Sequence, residues 1–244
     1  MLAAALPVWA LMKREVIRFW RERTRVAGFV LTPLLFWFVV SSGFGDFQRF
    51  FTGSLTLAIM FASVFSNMTL IEDRREGFLK SMLVSPAPRW ALVAGKVLGA
   101  AVLAWAQGLA FLAFVFFTGL RPTAAGLIGA AWSLLLIAIA FTALGFVCAW
   151  MMNSTAGFHA VINLLLMPAW MISGALFPRA TASGWLQIVM SLNPMAYALA
   201  LMERLLNPAY AGPSLALSLG VTALTAALML ALATVVVNRP DTGE

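Results

Sequence analysis

The sequence predicts an all-α integral membrane protein with six transmembrane helices. Hydrophobic residues occupy 62% of the 244 positions, charged residues only 10%, and the mean hydropathy is +0.94. A soluble domain carries about 25% charged residues, so lipid must face much of this chain. Apolar runs of about 20 residues, the length that crosses the hydrocarbon core as a helix, recur along the sequence. They do not match the short alternating strands of a membrane barrel.

The apolar runs define six spans within one transmembrane domain, residues 1–244. We place the spans at 26–43, 53–71, 91–118, 124–151, 157–177 and 213–237. Spans one and two thus occupy 26–71, spans three to five occupy 91–177, and span six with a short tail occupies 213–244. The remaining segments are an N-terminal helix, a loop and an outer-face hairpin, at 1–25, 72–90 and 178–212.

Basic residues are divided unequally between the two sides that six spans create. Lys and Arg are enriched in cytoplasmic loops, so the more basic side, which holds both termini, is predicted to be cytoplasmic. The net charge of +7 then reflects topology and does not point to nucleic acid. Twelve basic residues lie on this side: Lys13, Arg14, Arg18, Arg21, Arg23, Arg25, Arg74, Arg75, Lys80, Arg89, Lys96 and Arg239. Four lie opposite: Arg49, Arg121, Arg179 and Arg204.

The N-terminal segment is predicted to be an amphipathic helix in the headgroup layer of the membrane. At helical spacing, one face is apolar and another is basic, an arrangement typical of interfacial helices that contact anionic lipid. The helix could serve only as an anchor or could also touch a cytoplasmic partner. The apolar face holds Val8, Trp9, Met12, Val16, Phe19 and Trp20, interrupted by Arg23, and the basic face holds Arg14, Arg18, Arg21 and Arg25.

The loop at 72–90 carries the densest charge of the chain and a short apolar stripe. Phe78, Leu79, Met82 and Leu83 recur with helical spacing, and Pro86 and Pro88 follow, where a helix must end. The pattern predicts a short amphipathic helix that faces the cytosol. Its stripe could dock onto a protein, could bind lipid, or could belong to a solvated loop whose charges only enforce topology; we favour docking.

This loop resembles the first cytoplasmic loop of type-2 ABC exporter permeases, a family of drug, lipid and polysaccharide exporters. The resemblance rests on Arg75-Glu76-Gly77 followed by Leu83 and Pro86, although Gly77 follows Glu76 directly and Lys80 replaces an acidic residue of many members. It implies that the segment is the coupling helix inserted into an ATPase subunit. The implied ATPase-coupling residues are Arg75, Glu76, Gly77, Phe78, Leu79, Met82, Leu83 and Pro86.

A second resemblance to the same family covers the fifth span and the outer-face hairpin. It rests on Pro168, the run 173–178, Pro178, Asn193-Pro194 and Arg204. Physically, Asn193 can cap a helix that begins at Pro194, and residues 184–206 would form a re-entrant or interfacial helical pair. The family implies two ATPase subunits that hold ATP and magnesium, a second permease copy as a homodimer, and a bacterial inner membrane.

The sequence offers no catalytic or metal chemistry of its own. Gly95-Lys96 is followed by Val97 and lacks the glycine of a phosphate loop at Trp90, so we expect no cofactor in this chain. His159, the single histidine, is expected to be hydrogen-bonded near Asn163 at a helix end, with a proton-linked role as the remote alternative. Gly95 and Gly99 have the spacing of a close helix contact.

The predicted function is a permease subunit of an ATP-driven exporter for a hydrophobic or lipid-like substrate. The alternatives are a polysaccharide exporter permease and a non-transporting assembly or sensor subunit worked by an ATPase. A secondary carrier is disfavoured because the inner stretches of the predicted spans hold no Asp or Glu. Polar residues of the spans could line a substrate path or bond between helices: Ser63, Asn67, Gln107 and Asn163.

Overall fold

The computed structural model describes residues 2–21, 23–85 and 87–238, without the side chains of residues 2–5, 20, 23–27, 29 and 30. The described residues form helices and connecting turns and hold no strand, as the sequence predicts. The α-helices are α1 Leu2–Arg21, α2 Arg23–Phe44, α3 Phe47–Phe65, α4 Met68–Arg75, α5 Phe78–Val84, α6 Arg89–Leu112, α7 Ala124–Trp150, α8 Thr155–Trp170, α9 Gly184–Leu192, α10 Pro194–Leu206 and α11 Leu215–Asn238.

Five helical stretches of the described chain are long and apolar enough to cross a membrane: Phe47–Arg75, Arg89–Phe117, Ala124–Trp150, Thr155–Ala175 and Leu215–Asn238. The count rises to six if α9 and α10, which meet at 86°, form one bent span. The predicted first span, 26–43, lies within α2 and is helical throughout, and Leu31–Phe44 is the apolar stretch of that helix whose side chains the structure describes. The chain is therefore a multi-pass membrane protein with five or six spans.

The helices α3, α6 and α7 form the centre of the bundle. Leu55, Ile59, Val97, Leu134 and Ile137 from these helices are completely buried. Around this centre, α1 packs on α6, α2 on α3, α11 on α7, and α10 on α7 and α11. Because the chain enters α3 at Phe47 and leaves α4 at Arg75, these two residues mark opposite ends of the bundle. We call them the α10 end and the α5 end.

The second span is longer than predicted and is broken in the middle. Ser66 and Asn67 separate α3 from α4, and the Asn67 side chain donates to Ser63 O at 3.0 Å and to Thr142 O of α7 at 3.1 Å. A Cβ on Gly145 of α7 would lie 2.7 Å from the Asn67 amide nitrogen. Glycine at this position therefore lets α7 approach the break, and Asn67 satisfies the backbone carbonyls there.

Candidate functional site

The short helix α5 has two distinct faces. Leu79 is 3% exposed, and Met82 and Leu83 pack against the hydrophobic core of the same chain. The opposite face presents Glu76 just before the helix, then Lys80 and Val84, four residues apart. Val84 is 86% exposed although it is apolar. The accessible surface of α5 is thus the face that does not carry the predicted stripe.

The short helix exists at the predicted place, and its stripe is partly covered by its own chain. Leu79 is buried, whereas Phe78, Met82 and Leu83 are half-buried. Docking of the stripe onto a partner stays a prediction, and residues of α1 and of the first turn of α6 lie beside it. Pro7, Leu11 and Leu92 line a groove of about 260 Å³ together with Met82 and Leu83.

The residues that introduce α5 have different roles. Arg75 donates to Asn153 O of the α7–α8 turn at 3.1 Å, Glu76 is exposed, and Gly77 has a φ of 77°. This left-handed conformation favours glycine and turns the chain from α4 into α5. Pro86 lies outside the described residues, whereas Pro88 directly precedes the first residue of α6.

A buried cluster of charged side chains lies at the α5 end of the bundle. The Lys96 Nζ of α6 contacts Glu15 Oε1 of α1 at 2.6 Å and also contacts a carboxylate oxygen of Asp73 in α4. These three side chains are 3%, 4% and 0% exposed. One lysine therefore joins three helices that are far apart in sequence.

Two arginines of α1 complete the cluster. Arg14 Nη2 donates to Asp73 Oδ1 at 2.7 Å, and Arg18 donates to Asp73 Oδ1 at 3.1 Å and to Glu72 Oε2 at 2.7 Å. The hydrogen bond with Asp73 raises the pKa of the Arg14 guanidinium, against the opposing effect of partial burial. With Lys96 and Glu15, the six side chains carry three positive and three negative charges. Burying this cluster is tolerable because every charge has an opposite partner.

The cluster also reaches α5 directly. The Arg14 guanidinium carbon lies 3.8 Å above the centre of the Phe78 ring, while the same group holds Asp73. A guanidinium at this distance from an aromatic face is attracted by the ring quadrupole. The first residue of α5 is therefore tied to α1, and through the cluster to the ends of α4 and the start of α6.

A close helix contact holds α1 in this position. A Cβ on Gly95 would lie 2.8 Å from Leu11 Cβ, and a Cβ on Gly99 would lie 3.1 Å from Met12 Cα. The predicted small-residue pair is confirmed as a close contact, and its partner is α1. The N-terminal helix α1 is thus packed against α6, beside the charged cluster.

Sequence reasoning missed the cluster. The second helical stretch continues to Arg75, so Asp73 belongs to it, and Glu203 of α10 accepts a hydrogen bond from Thr52 of α3. Asp73 lies near the end of this stretch and Glu203 lies in the predicted outer hairpin, so the inner parts of the predicted spans still hold no Asp or Glu. A signal was available in Lys96, a charged residue placed by hydropathy inside a span, which requires a buried partner.

The predicted α9–α10 pair is confirmed, with Asn193 at the junction. Its side chain accepts from Met195 N at 3.0 Å as a helix cap and donates to Ala169 O at 2.6 Å, and Pro194 is the first residue of α10. Arg204 donates to Gly212 O at 2.6 Å and thereby holds the turn after α10. Pro178 precedes a short 3₁₀ turn, Arg179–Thr181, that leads into the pair.

The four polar residues suggested for a substrate path do not meet in one cavity. Ser63 and Asn67 are buried and bond within α3 and to α7. Gln107 faces a narrow gap beside Glu15, and Asn163 is exposed on α8. The assignment of these four residues to a path stays a prediction. The ring of His159 lies 4.6 Å from that of Phe65, tilted by 32°.

Comparison with known proteins identifies the class of this fold and site. The family model described as "ABC-2 type transporter" matches residues 7–206. The chain belongs to this family and is a membrane permease subunit. It is similar to a protein of Cyanophora paradoxa described as a transport permease, ycf38. The two are 28% identical over 78% of this chain and 70% of that protein.

Two further relatives share the same description or an ABC transporter name. The ycf38 protein of Porphyra purpurea is 24% identical over 78% of this chain and 70% of its own length. The probable multidrug ABC transporter permease YbhR of Escherichia coli K12 is 23% identical over 62% of this chain and 42% of its own length. The chain therefore matches less than half of YbhR.

Proposed function

We propose that this chain is the membrane subunit of an ATP-driven exporter and that a separate ATPase subunit binds the exposed face of α5. The observation that carries the proposal is the buried charged cluster, which ties α5 to α1, α4 and α6. A movement of α5 would therefore be transmitted to the ends of two membrane-crossing stretches, the one that ends with α4 and the one that begins with α6. We assign the coupling role to residues 75–86, with direct contact made by the exposed members.

The proposed arrangement places both termini and α5 in the cytoplasm of a bacterial inner membrane. Twelve basic residues against four support this orientation. ATP and magnesium would bind in the partner subunits, two per transporter, and a second copy of this permease would complete the assembly.

A hydrophobic or lipid-like substrate is supported by an apolar groove between α2, α3 and α8. Its volume is about 430 Å³. Among the side chains that the structure describes at its wall, Thr32 is polar and the others are apolar and partly aromatic: Gly28, Pro33, Phe36, Leu57, Ala58, Phe61, Ala62, Phe65 and Met167. Such a wall suits an apolar body better than an ion or a sugar.

The binding step is tested by co-expressing this chain with a candidate ABC ATPase subunit and measuring their co-purification. We expect Val84→Asp and Lys80→Glu to lower the retained ATPase at least about tenfold, the effect of losing a central interface residue. Arg121→Glu, a charge reversal at an exposed residue far from α5 in the chain, is the matched control. If both α5 variants retain the ATPase fully, or if the purified chain transports alone, the proposal fails.

Orientation and substrate class need separate measurements. In a Cys148→Ser background, a cysteine at residue 80 should react only from the cytosol and one at residue 185 only from outside. ATPase activity of the reconstituted complex should rise with amphipathic compounds. A rise with a soluble sugar alone would instead indicate a polysaccharide exporter, and ATP hydrolysis without any transported compound would indicate an assembly or sensor subunit.

A further inference from the structure

A large cavity opens at the α10 end of the bundle, opposite the charged cluster. Its volume is about 780 Å³, and its wall is built by the start of α3, the turn after α8, the α9–α10 pair and the loop before α11. Asp46, the cap of α3, Arg49 of α3 and Glu203 of α10 contribute charged groups, and Arg179 contributes another from the 3₁₀ turn. None of the functional assignments above uses this space.

The charged groups of the cavity differ in whether they are already paired. Asp46 accepts the Arg49 backbone N–H at 2.9 Å as the cap of α3, and Glu203 accepts from Thr52. Arg49 donates to Leu176 O at 3.3 Å, a single bond for a group with five donors. The Arg179 side chain has no hydrogen bond or ion pair with any residue that the structure describes. Among the charged groups of the wall, the unused hydrogen-bond donors therefore belong to the arginines Arg49 and Arg179.

The cavity combines these arginines with an apolar floor. Ala175, Met190, Ala196 and Leu199 line it beneath the charged rim. Arginine guanidinium groups recognise phosphate and carboxylate through paired hydrogen bonds, while the apolar floor suits hydrocarbon. A ligand that satisfies both parts is an amphiphile with an anionic head.

The apolar groove between α2, α3 and α8 lies further along α3 than the cavity does. Arg49 borders the cavity and Leu57 borders the groove, and eight residues of helix separate them by about 12 Å. Between them, Trp170 Nε1 donates to Gly53 O at 2.8 Å, and a Cβ on Gly53 would lie 3.1 Å from Ala175 Cβ. This contact closes the seam between α3 and α8. The cavity and the apolar groove are therefore separate sites along α3.

We propose that the cavity at the α10 end binds the anionic head group, a phosphate or carboxylate, of an amphipathic molecule through Arg49 and Arg179. The identification of that molecule as transported cargo rests on the proposed function. Binding to the cavity itself does not, because it requires no ATPase. Glu203 lies on the same wall and accepts from Thr52, so the positive charge available to an anionic head comes from the two arginines.

The test measures binding of decyl phosphate to the full chain in nanodiscs of neutral lipid by calorimetry, with empty nanodiscs as the blank. We expect saturable binding that Arg179→Gln weakens by at least about tenfold, the loss of one charge-assisted hydrogen bond to a phosphate. Arg49→Gln should act in the same direction. Arg121→Gln, an exposed arginine outside the cavity, should bind like the parent.

Two other probes separate the possible sources of the signal. Inorganic phosphate that bound as tightly as decyl phosphate would indicate a site for soluble anions and would overturn the amphiphile. Decyltrimethylammonium that bound equally well would indicate partition into an apolar space without head-group recognition, and would overturn the role of the arginines. An unsaturable signal equal to the blank, or equal losses in Arg121→Gln, would also reject the proposal.

The outcome is independent of the coupling experiment. If decyl phosphate binds through Arg179 but no ATPase subunit associates with α5, the cavity stands as a ligand site and the exporter proposal fails. If the ATPase associates and is stimulated by amphiphiles while Arg179→Gln changes neither binding nor stimulation, the exporter stands and the cavity assignment fails.

Discussion

Replacing Lys96 by methionine is the sharpest test of the charged cluster at the α5 end. The change keeps most of the aliphatic stem and removes one positive charge from a group of three cations and three carboxylates. Lys96 is 3% exposed, so bulk water does not solvate the carboxylates that lose it. The cluster then carries one uncompensated negative charge.

The magnitude follows from which carboxylate loses more. Asp73 keeps Arg14 at 2.7 Å and Arg18 at 3.1 Å. Of the contacts shown for the described residues, Glu15 keeps the Thr69 hydroxyl donor at 3.1 Å and Arg14 at 3.5 Å. Breaking one partner of a buried ion pair costs about 3–5 kcal/mol, and because Asp73 stays paired, we expect the lower end, about 3 kcal/mol.

The assay is unfolding in detergent followed by the fluorescence of the nine tryptophans. Lys96→Met should lower the unfolding free energy by about 3 kcal/mol, whereas Lys80→Met, which removes an exposed lysine of α5, should change it by less than about 0.5 kcal/mol. Glu15→Gln combined with Lys96→Met restores neutrality and should recover more than about 1 kcal/mol relative to additivity. Parent-like stability of Lys96→Met, or strict additivity of the pair, would refute the cluster.

Three further outcomes follow from other contacts. Gly99→Ala should lower the unfolding free energy by about 1–3 kcal/mol, because its methyl group would press on α1. Gly220→Ala, on the open face of α11, should leave it unchanged or raise it slightly. Tryptophan fluorescence in detergent measures both. Asn193→Ala removes the cap of α10 and its bond to α8 and should cost about 1–2 kcal/mol; the same change at exposed Asn163 should cost much less. Trp170→Phe deletes the donor to Gly53 O and should cost about 1 kcal/mol, so an unchanged unfolding midpoint would argue against the closed seam between α3 and α8.

Much of the fold could be predicted from the sequence because its signals are local. The apolar runs locate the long helices, and Asn193-Pro194 predicts the start of α10 because a cap and a first-turn proline act within a few residues. The position of α5 follows in the same way from its stripe and the residues around it. Local periodicity also predicted a close contact at Gly95 and Gly99.

The remaining features depend on which segments meet. A periodic stripe shows that Leu79 needs an apolar cover, but it does not show whether another chain or its own chain provides it. The cluster joins Glu15, Asp73 and Lys96, which are separated by 58 and 23 residues, and no local pattern connects them. The cavity at the α10 end likewise forms only when the start of α3 meets the α9–α10 pair.

The inward packing of α5 has a consequence for assembly. Leu79 is buried in its own chain, and Phe78 is held by Arg14. The exposed face formed by Glu76, Lys80 and Val84 therefore has its conformation before a partner binds. A rigid surface loses little conformational entropy on association. The proposed ATPase subunit would therefore bind a face of the permease that needs no refolding.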